Sequence, residues 1–318
     1  MPVPFAKLHL ARNMQTLAFC LSLFFAGCSH SVAQNAAAPP PPPIEYVDTW
    51  GSHGRGPGEL AAPAGIASDG ESIIYITDAA SGYVHKFSTS GEPRLSFQDD
   101  RMDLQPADVA VDAGAAIYVA DPKRRMVVIF FSDGMHHRQL RVSAVPGLRD
   151  SMHIAVDPYG TIYVAAKRPF GVRRFSPALR LMGSWGSGAV QQAGIENPSS
   201  LVVGPDGLVY VSESETPQIK VYDPSGIPQR TLSAPPEAQD ARFSGIAVNT
   251  KFVLAIGAVQ PSLYVWSLDG NYRMTQDLSA WIPSSPNPVS RKIVVTPHSD
   301  LLVLDLAVVR VFRFRLHL

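Results

Sequence analysis

The chain has 318 residues, of which 46% are hydrophobic, and this is enough apolar material to bury the core of one large or two ordinary domains. Its 27 basic and 27 acidic residues give a formal net charge of zero. A general nucleic-acid-binding protein carries a strongly basic domain, so this balance argues against a nucleic-acid partner.

The N-terminus has the pattern of an export signal. Lys7 and Arg12 form a short basic region, and residues 14–26 are an apolar run. This run is shorter than the roughly 20 residues that a membrane-spanning helix needs, so it indicates a signal peptide. We therefore expect residues 1–27 to be a signal peptide and the protein to be extracytoplasmic.

Two cleavage sites fit this signal. The sequence FAGC, which ends at Cys28, resembles a bacterial lipobox and predicts a lipid anchor on Cys28. The small-x-small sequence SVA instead predicts cleavage after Ala33 and a secreted soluble protein. The small residues directly before Cys28 favour a lipoprotein of the bacterial cell envelope, bound to the membrane through that anchor. Cys20 and Cys28 are the only cysteines, so the mature chain cannot form an internal disulfide.

Residues 28–43 are rich in alanine and proline, and residues 39–43 are five consecutive prolines. Such a run favours an extended polyproline helix that rises about 3.1 Å per residue. We expect this segment to be a tether that holds the folded body, residues 44–318, away from the membrane.

From residue 44 onward the chain is a succession of short β-branched and aromatic runs divided by Gly, Pro, Asp and Asn. The clearest repeated run is IYITD, residues 74–78. Its counterparts end at positions 121, 166, 213, 257 and 305, so successive copies are 43 to 48 residues apart. A period near 45 with only strand signals is typical of propeller blades. The prediction is an all-β, six-bladed β-propeller of four-stranded antiparallel blades.

The last unit lacks a fourth strand, because the chain stops soon after its third. A strand-like run, residues 45–50, precedes the first complete unit and has no blade of its own. We expect this N-terminal strand to complete the last blade and close the ring without an open sheet edge.

The repeated motifs P-x-G-I-A-x-D, I-Y-V-x-D, hydrophobic-x-K-F and S-x-x-G-E resemble the NHL-repeat family of β-propellers. The resemblance covers residues 44–318, with a weak fifth unit. Because closed repetition makes a stable body while its short loops vary freely, the prediction is a rigid binding or scaffold module for a protein, peptide or glycan partner. One half of a two-protein sensor is a further alternative. Enzymatic relatives hold zinc with three channel histidines, or a hard cation with several channel carboxylates. In this sequence His153 is the only histidine and Asp108 the only carboxylate at the corresponding channel positions. We therefore expect no metal and no cofactor, and binding rather than catalysis.

One residue per blade directly precedes the innermost strand, where a propeller forms the mouth of its central channel. These channel-mouth residues are Gly65, Asp108, His153, Ser200, Gly245 and Lys292. The alternative to a binding module is an enzyme, a hydrolase or a metal-dependent lyase, that uses Asp108, His153 and Ser200. In a hydrolase the Asp would orient the His, which would deprotonate the Ser. A purely structural Asp–His hydrogen bond is the competing interpretation.

Basic residues concentrate in two neighbouring blades, after their second strands. They are Lys123, Arg124 and Arg125 in blade two, and Lys167, Arg168, Arg173 and Arg174 in blade three. This basic patch would suit an acidic polysaccharide, lipid head group or protein surface. The competing interpretation is ordinary solvated charge whose stems cover apolar surface. The NHL resemblance includes RNA-binding members with a basic face, but an exported chain would rarely meet RNA.

The stretch WGSHGRGPGEL, residues 50–60, is dense in glycine, as phosphate-binding loops are. It lacks the Gly-Lys-Ser/Thr of such loops, and a second Trp-Gly-Ser occurs at residues 185–187. We therefore expect a crossing between blades. The acids that follow second strands, Asp78, Asp121, Glu213 and Asp305, are expected to bind loop amides.

Overall fold

The computed structural model describes residues 43–99, 101–142, 151–167, 169–187 and 194–318. The chain divides into two units, Met1–Pro40 and Pro41–Leu318, and every described residue belongs to the second. The predicted signal peptide, Cys28, nearly all of the tether and Arg168 of the basic patch lie outside the described residues.

Twenty-four strands form six sheets in this part of the chain. The first strand is β1 (Ile44–Trp50). Blade one contains β2 (Pro63–Ser68), β3 (Ile74–Asp78), β4 (Val84–Phe87) and β5 (Pro93–Phe97). Blade two contains β6 (Asp108–Val111), β7 (Ile117–Asp121), β8 (Met126–Phe130) and β9 (His136–Arg141). Blade three contains β10 (His153–Val156), β11 (Ile162–Ala166), β12 (Gly171–Phe175) and β13 (Leu181–Trp185).

Blade four contains β14 (Pro198–Val203), β15 (Val209–Glu213), β16 (Gln218–Tyr222) and β17 (Pro228–Ser233). Blade five contains β18 (Phe243–Val248), β19 (Phe252–Gly257), β20 (Ser262–Ser267) and β21 (Tyr272–Asp277). Blade six contains β22 (Arg291–Val295), β23 (Asp300–Asp305) and β24 (Arg310–Leu316). One turn of 3-10 helix, Pro236–Ala238, precedes blade five. Within the described residues, no helix has the length and apolar character to cross a membrane.

Every sheet has four antiparallel strands, and the prediction of six blades is confirmed. The strands of blades one to five pair in chain order. In the sixth sheet the order is β1-β24-β23-β22, so the N-terminal strand completes the last blade as predicted. The second strands end at residues 78, 121, 166, 213, 257 and 305, where the repeated motif places them.

The core lies between neighbouring blades. The second strands β3, β7, β11 and β15 are buried along their whole length, because each is covered on both faces by the adjacent sheets. This double burial explains why the repeated motif is a nearly continuous apolar run rather than an alternating one.

The tyrosine of the repeated motif forms a hydrogen bond that the sequence analysis did not anticipate. The Tyr75 hydroxyl donates to Asp69 Oδ2 at 2.9 Å, in the turn between the first and second strands. Asp69 Oδ1 accepts the backbone N–H groups of Glu71 and Ile73, both at 2.9 Å. The pairs Tyr118–Asp112 and Tyr210–Asp206 repeat this bond at 2.8 Å and 2.7 Å. Burial and then the hydrogen-bonded aspartate raise the pKa of each tyrosine.

The ring closes through β1 and β24, from the pair Ile44↔Leu316 to the pair Trp50↔Val311. Arg313 Nε donates to Asp48 Oδ1 at 3.1 Å across this seam. The Trp50 indole then reaches blade one, where it donates to the Thr89 carbonyl at 3.2 Å. A Cβ added to Gly91 would lie 2.3 Å from the Trp50 ring, so the ring packs directly on that turn.

The glycine-rich stretch connects β1 to β2, as predicted, and makes no phosphate cradle. Its own Glu59 carboxylate occupies the concave side, where the Gly56 N–H donates to Glu59 Oε2 at 2.9 Å. A Cβ on Gly54 would lie 2.0 Å from the same oxygen. The glycines therefore accommodate a carboxylate of the chain itself.

The seam provides a first test. Trp50 is buried, and its replacement by Ala leaves a cavity between blades six and one. We expect Trp50→Ala to lower the free energy of unfolding by about 3–5 kcal/mol, measured by denaturant titration. Tyr159→Ala is the matched control, because that ring is 86% exposed and its loss should change stability by less than about 0.5 kcal/mol. Equal losses of stability in the two variants would contradict the role of Trp50 in stabilising the seam.

Candidate functional site

The propeller has two sides with different connections. The turn face carries the turns between first and second strands and between third and fourth strands. The loop face carries the loops between second and third strands and the crossings from one blade to the next. Because the innermost strands begin at these crossings, the channel-mouth residues lie on the loop face.

The strand registers place the six channel-mouth residues at equivalent positions. Each pairs with the penultimate residue of its second strand: Gly65↔Thr77, Asp108↔Ala120, His153↔Ala165, Ser200↔Ser212, Gly245↔Ile256 and Lys292↔Leu304. The structure therefore gathers around one opening the residues that are far apart in the sequence.

Asp108 and His153 are neighbours at this opening. Their nearest atoms, Asp108 Oδ2 and His153 Nδ1, are 3.4 Å apart, and Nδ1 has no hydrogen-bond partner of good geometry within the described part of the chain. The Asp108 carboxylate accepts the N–H groups of Val109 at 3.0 Å and Ile154 at 3.3 Å. It thus links blade two to blade three in addition to facing the histidine.

Burial lowers the pKa of His153, and the positive charge of Lys292 lowers it further. The negative charge of Asp108 and a hydrogen bond to the backbone of Pro198 oppose this change without reversing it. The imidazole is therefore held in its neutral form over a wider pH range than an exposed histidine.

The Ser200 hydroxyl bonds to the backbone of a neighbouring blade, whereas a hydrolase requires a bond from its serine to the histidine. Its Oγ accepts the Ile246 N–H of blade five at 3.3 Å. Among the described residues, no hydrogen bond joins Ser200 to His153. The structure therefore brings Asp108 and His153 together, while Ser200 links blades four and five.

Lys292 crosses the opening from blade six. Its ammonium donates to the Ser199 carbonyl of blade four at 2.7 Å, past the glycine of blade five. Burial lowers the pKa of Lys292, and the charge of Asp108 only partly offsets this. The described residues place no carboxylate oxygen within 4.0 Å of this nitrogen, so the ammonium has no direct ion pair.

The two channel-mouth glycines allow blades to approach closely. A Cβ on Gly65 would lie 2.7 Å from the Asp108 Cα, and one on Gly245 would lie 2.6 Å from the Arg291 carbonyl oxygen. Both positions also leave the mouth free of side chains on either side of Lys292.

Behind the mouth lies a central cavity of about 170 Å³, bounded by the innermost strands of all six blades. Asp108, Ser200 and Lys292 border it. An innermost strand pairs only with its second strand, so its remaining backbone groups face the channel. The cavity is consequently polar even where the side chains are Ala, Val and Ile. Within the described residues, no three His, Cys, Asp or Glu side chains converge as metal ligands.

The acids that follow second strands organise the loop face, as predicted. Asp78 Oδ2 accepts the N–H groups of Ala61 and Ala62 at 2.6 Å and 2.9 Å, and Oδ1 accepts that of Ser81 at 2.9 Å. Asp121, Glu213 and Asp305 accept loop amides in the same way. These carboxylates hold the loops and the blade crossings together.

Most residues of the predicted basic patch already contact other groups of the protein. Arg124 is paired with Asp121 at 3.1 Å, and Lys123 lies 3.7 Å from Asp103. The Arg173 guanidinium lies over the Phe170 ring, 4.5 Å from its centre. Lys167 borders a shallow groove on the loop face together with two glutamates, and Arg125 is at a position of positive φ in its loop.

Arg174 extends toward the turn face, where it donates to the Pro224 carbonyl at 2.6 Å. Neighbouring blades are joined in the same manner by three other cations, which reach carbonyls in the turn of the next blade. They are Lys86 to Ser132 at 2.8 Å, Arg138 to Pro177 at 3.2 Å and Arg230 to Leu268 at 2.5 Å.

The turn face carries a group of exposed apolar side chains that the sequence analysis missed. In blades two, three and four they are Phe131, Met135, Tyr159, Leu181, Met182 and Ile227, with exposures between 46% and 86%. We call these six residues the apolar rim. Tyr159 and Met182 also border a groove of about 390 Å³ between blades three and four, beside Arg174. The sequence does contain a sign of this rim, namely large apolar residues within or beside turns that are otherwise polar.

The comparisons with known proteins agree on the fold. No family model matches the sequence, and no curated protein matches it in sequence. A streptogramin B lyase structure superposes with a TM-score of 0.54 at 10% identity, covering 81% of this chain and 94% of that one. An inactive histidine-to-alanine variant of virginiamycin B lyase from Staphylococcus aureus, solved with quinupristin, gives 0.56 at 11% identity, covering 80% and 95%. The β-propeller domain of Myceliophteria thermophila Cps50 (Swd1) gives 0.59 at 10% identity, covering 86% and 99%. Similarity at these identities supports the propeller fold alone.

The lowered pKa of His153 predicts how stability depends on pH. Below about pH 6.5, the ordinary pKa of histidine, the unfolded chain takes up a proton that the folded protein does not bind. The free energy of unfolding should therefore fall as the pH is lowered from 7 toward the depressed folded pKa. This contribution has a slope of at most about 1.4 kcal/mol per pH unit.

Denaturant titrations of His153→Gln at several pH values should show a shallower slope than the wild type. His85, whose pKa burial also lowers, accounts for part of the remaining slope. If the slope of unfolding free energy against pH is the same in His153→Gln as in the wild type, the lowered pKa of His153 is contradicted.

Proposed function

We propose that the propeller is a rigid scaffold that binds a protein partner through its turn face, at the cell envelope outside the cytoplasm. The observation that carries this proposal is the apolar rim. Exposed apolar side chains in the turns of successive blades, without a covering element among the described residues, are typical of protein interaction sites.

The frame beneath the rim favours binding without reorganisation. The Tyr118–Asp112 and Tyr210–Asp206 hydrogen bonds hold the turns, and the Arg138 and Arg174 bridges join successive blades. A surface that is already ordered loses little conformational entropy when a partner binds.

The rim also favours a protein over a glycan or an acidic polymer. Met135, Leu181 and Ile227 gain free energy by leaving water against other apolar side chains, whereas a glycan presents mainly hydroxyl groups. On the loop face, by contrast, Arg124 is already paired with Asp121.

The catalytic alternative has a weaker geometric basis. A hydrolase needs its serine hydrogen-bonded to the histidine, and Ser200 instead accepts the Ile246 N–H. One structural neighbour is a lyase that a histidine-to-alanine change inactivates. Turnover of an ester, peptide or lactone that is abolished by His153→Ala would favour the enzyme over the scaffold.

The rim is tested by reversing its polarity. Cross-linking followed by pull-down from envelope extract should recover a specific protein with the wild type, and the recovery should fall at least about tenfold with Ile227→Glu or Leu181→Glu. Val308→Glu is the matched control, because Val308 is an exposed apolar residue in a loop of the opposite face. A partner that is retained by the rim variants and lost with Val308→Glu would refute the assignment.

The envelope location is proposed from the sequence alone, and it rests on FAGC before the Ala/Pro-rich tether. Metabolic labelling with palmitate should mark the wild type, while Cys28→Ala should remain unlabelled and leave the membrane fraction. Cys20→Ala is the control that should keep both properties, provided that export is normal. Label that persists in Cys28→Ala would exclude this anchor.

A further inference from the structure

Lys292 is a buried cation that has no carboxylate oxygen within 4.0 Å among the described residues. The residue is only 8% exposed, yet within the described part of the chain its ammonium makes one hydrogen bond, to the Ser199 carbonyl at 2.7 Å. An ammonium has three N–H donors, so two remain for another partner. Buried lysines are rare unless they are paired, because removing an ammonium from water is costly.

The surroundings leave room for such a partner. Gly65 and Gly245 flank Lys292 in the ring and carry no side chains. The cavity of about 170 Å³ begins at the same level and is bordered by Lys292. This volume holds a molecule of a few heavy atoms together with water, since one water molecule occupies about 30 Å³ in the liquid.

His153 lies at the same mouth, where its Nδ1 faces Asp108 Oδ2 at 3.4 Å. A buried ammonium that borders a small polar cavity and has N–H donors to spare indicates a place where a ligand or ordered solvent completes the hydrogen bonding.

We propose that the channel mouth is a binding site for a small carboxylate monoanion, held by the Lys292 ammonium. This function is separate from protein docking, because the mouth lies on the loop face and the apolar rim on the turn face.

The charges at the mouth select a single negative charge. Lys292 supplies one positive charge, and Asp108 supplies a negative charge that would repel an anion. A monoanion satisfies the ammonium. A dianion adds repulsion from Asp108, and the described channel-mouth residues include no second cation to balance it. His153 is close enough to Lys292 for the ammonium to lower its pKa. A bound anion offsets that positive charge, so binding raises the pKa of His153.

The experiment titrates acetate into the purified full-length protein at pH 7, in sodium sulfate of constant ionic strength, and follows the His153 ring signals by NMR. Acetamide, a neutral molecule of the same shape, is the matched ligand control. We expect saturable shifts with acetate and none with acetamide, and a His153 pKa that is higher in saturating acetate than without it.

Three variants locate the site. Lys292→Met should weaken acetate binding by at least about tenfold, while Lys292→Arg should retain it within severalfold. Asp108→Asn should strengthen binding severalfold, because it removes the repelling charge. If Lys292→Met does not fold, the change of acetate affinity in Asp108→Asn tests the proposal on its own.

Three results would overturn the proposal. They are an absence of saturable acetate shifts, equal binding by Lys292→Met and the wild type, and weaker binding by Asp108→Asn. A separate titration with sodium sulfate in place of acetate that gives equal or tighter saturable shifts would refute the preference for a monoanion. None of these outcomes depends on whether a protein binds the apolar rim, since that pull-down uses other residues.

Discussion

The pairing of β1 with β24 is the constraint on which the rest of the molecule depends. A propeller blade buries its apolar faces only against its two neighbours, so the sixth blade can be stable only if it is complete and the ring is shut. Arg313 and Asp48 join β24 to β1 across the seam, and Trp50 extends the contact into blade one. Opening the seam would expose the apolar faces of two blades, so we expect the closed ring to unfold as one unit.

Within the closed ring, buried polar side chains hold the loops and turns in place through hydrogen bonds. Carboxylates at the ends of second strands, such as Asp78, collect amides from two loops at once. On the turn face, the Tyr75–Asp69 bond ties a strand to its own turn. These groups satisfy backbone donors that would otherwise be buried without partners. The same carboxylates pair with cations of the loop face, as Asp121 does with Arg124.

The two faces consequently offer different chemistry. The loop face consists of paired charges around a polar opening, and the turn face exposes methionine, leucine and aromatic side chains on a stiff frame. The channel mouth differs from both because it is assembled from one residue per blade, and its two charged residues also link blades, as Asp108 does to Ile154 and Lys292 to Ser199. Lys292 has room there because Gly245 and Gly65 have no side chains, and the same glycines admit the close approach of neighbouring blades.

The repeat period determined the fold from the sequence alone. Runs such as IYITD and IYVAD specify strands buried on both faces, and their spacing leaves one blade incomplete, so the closing strand was predictable. The channel-mouth set was also predictable, because equivalent positions of a repeat meet at one ring. The direction of each side chain was not predictable from the sequence, because it depends on which residue of a neighbouring blade the side chain contacts. Ser200 bonds to Ile246, Arg174 reaches Pro224 on the turn face, and Lys292 crosses to Ser199. These partners lie 46, 50 and 93 residues away along the chain, and only the tertiary structure brings them together.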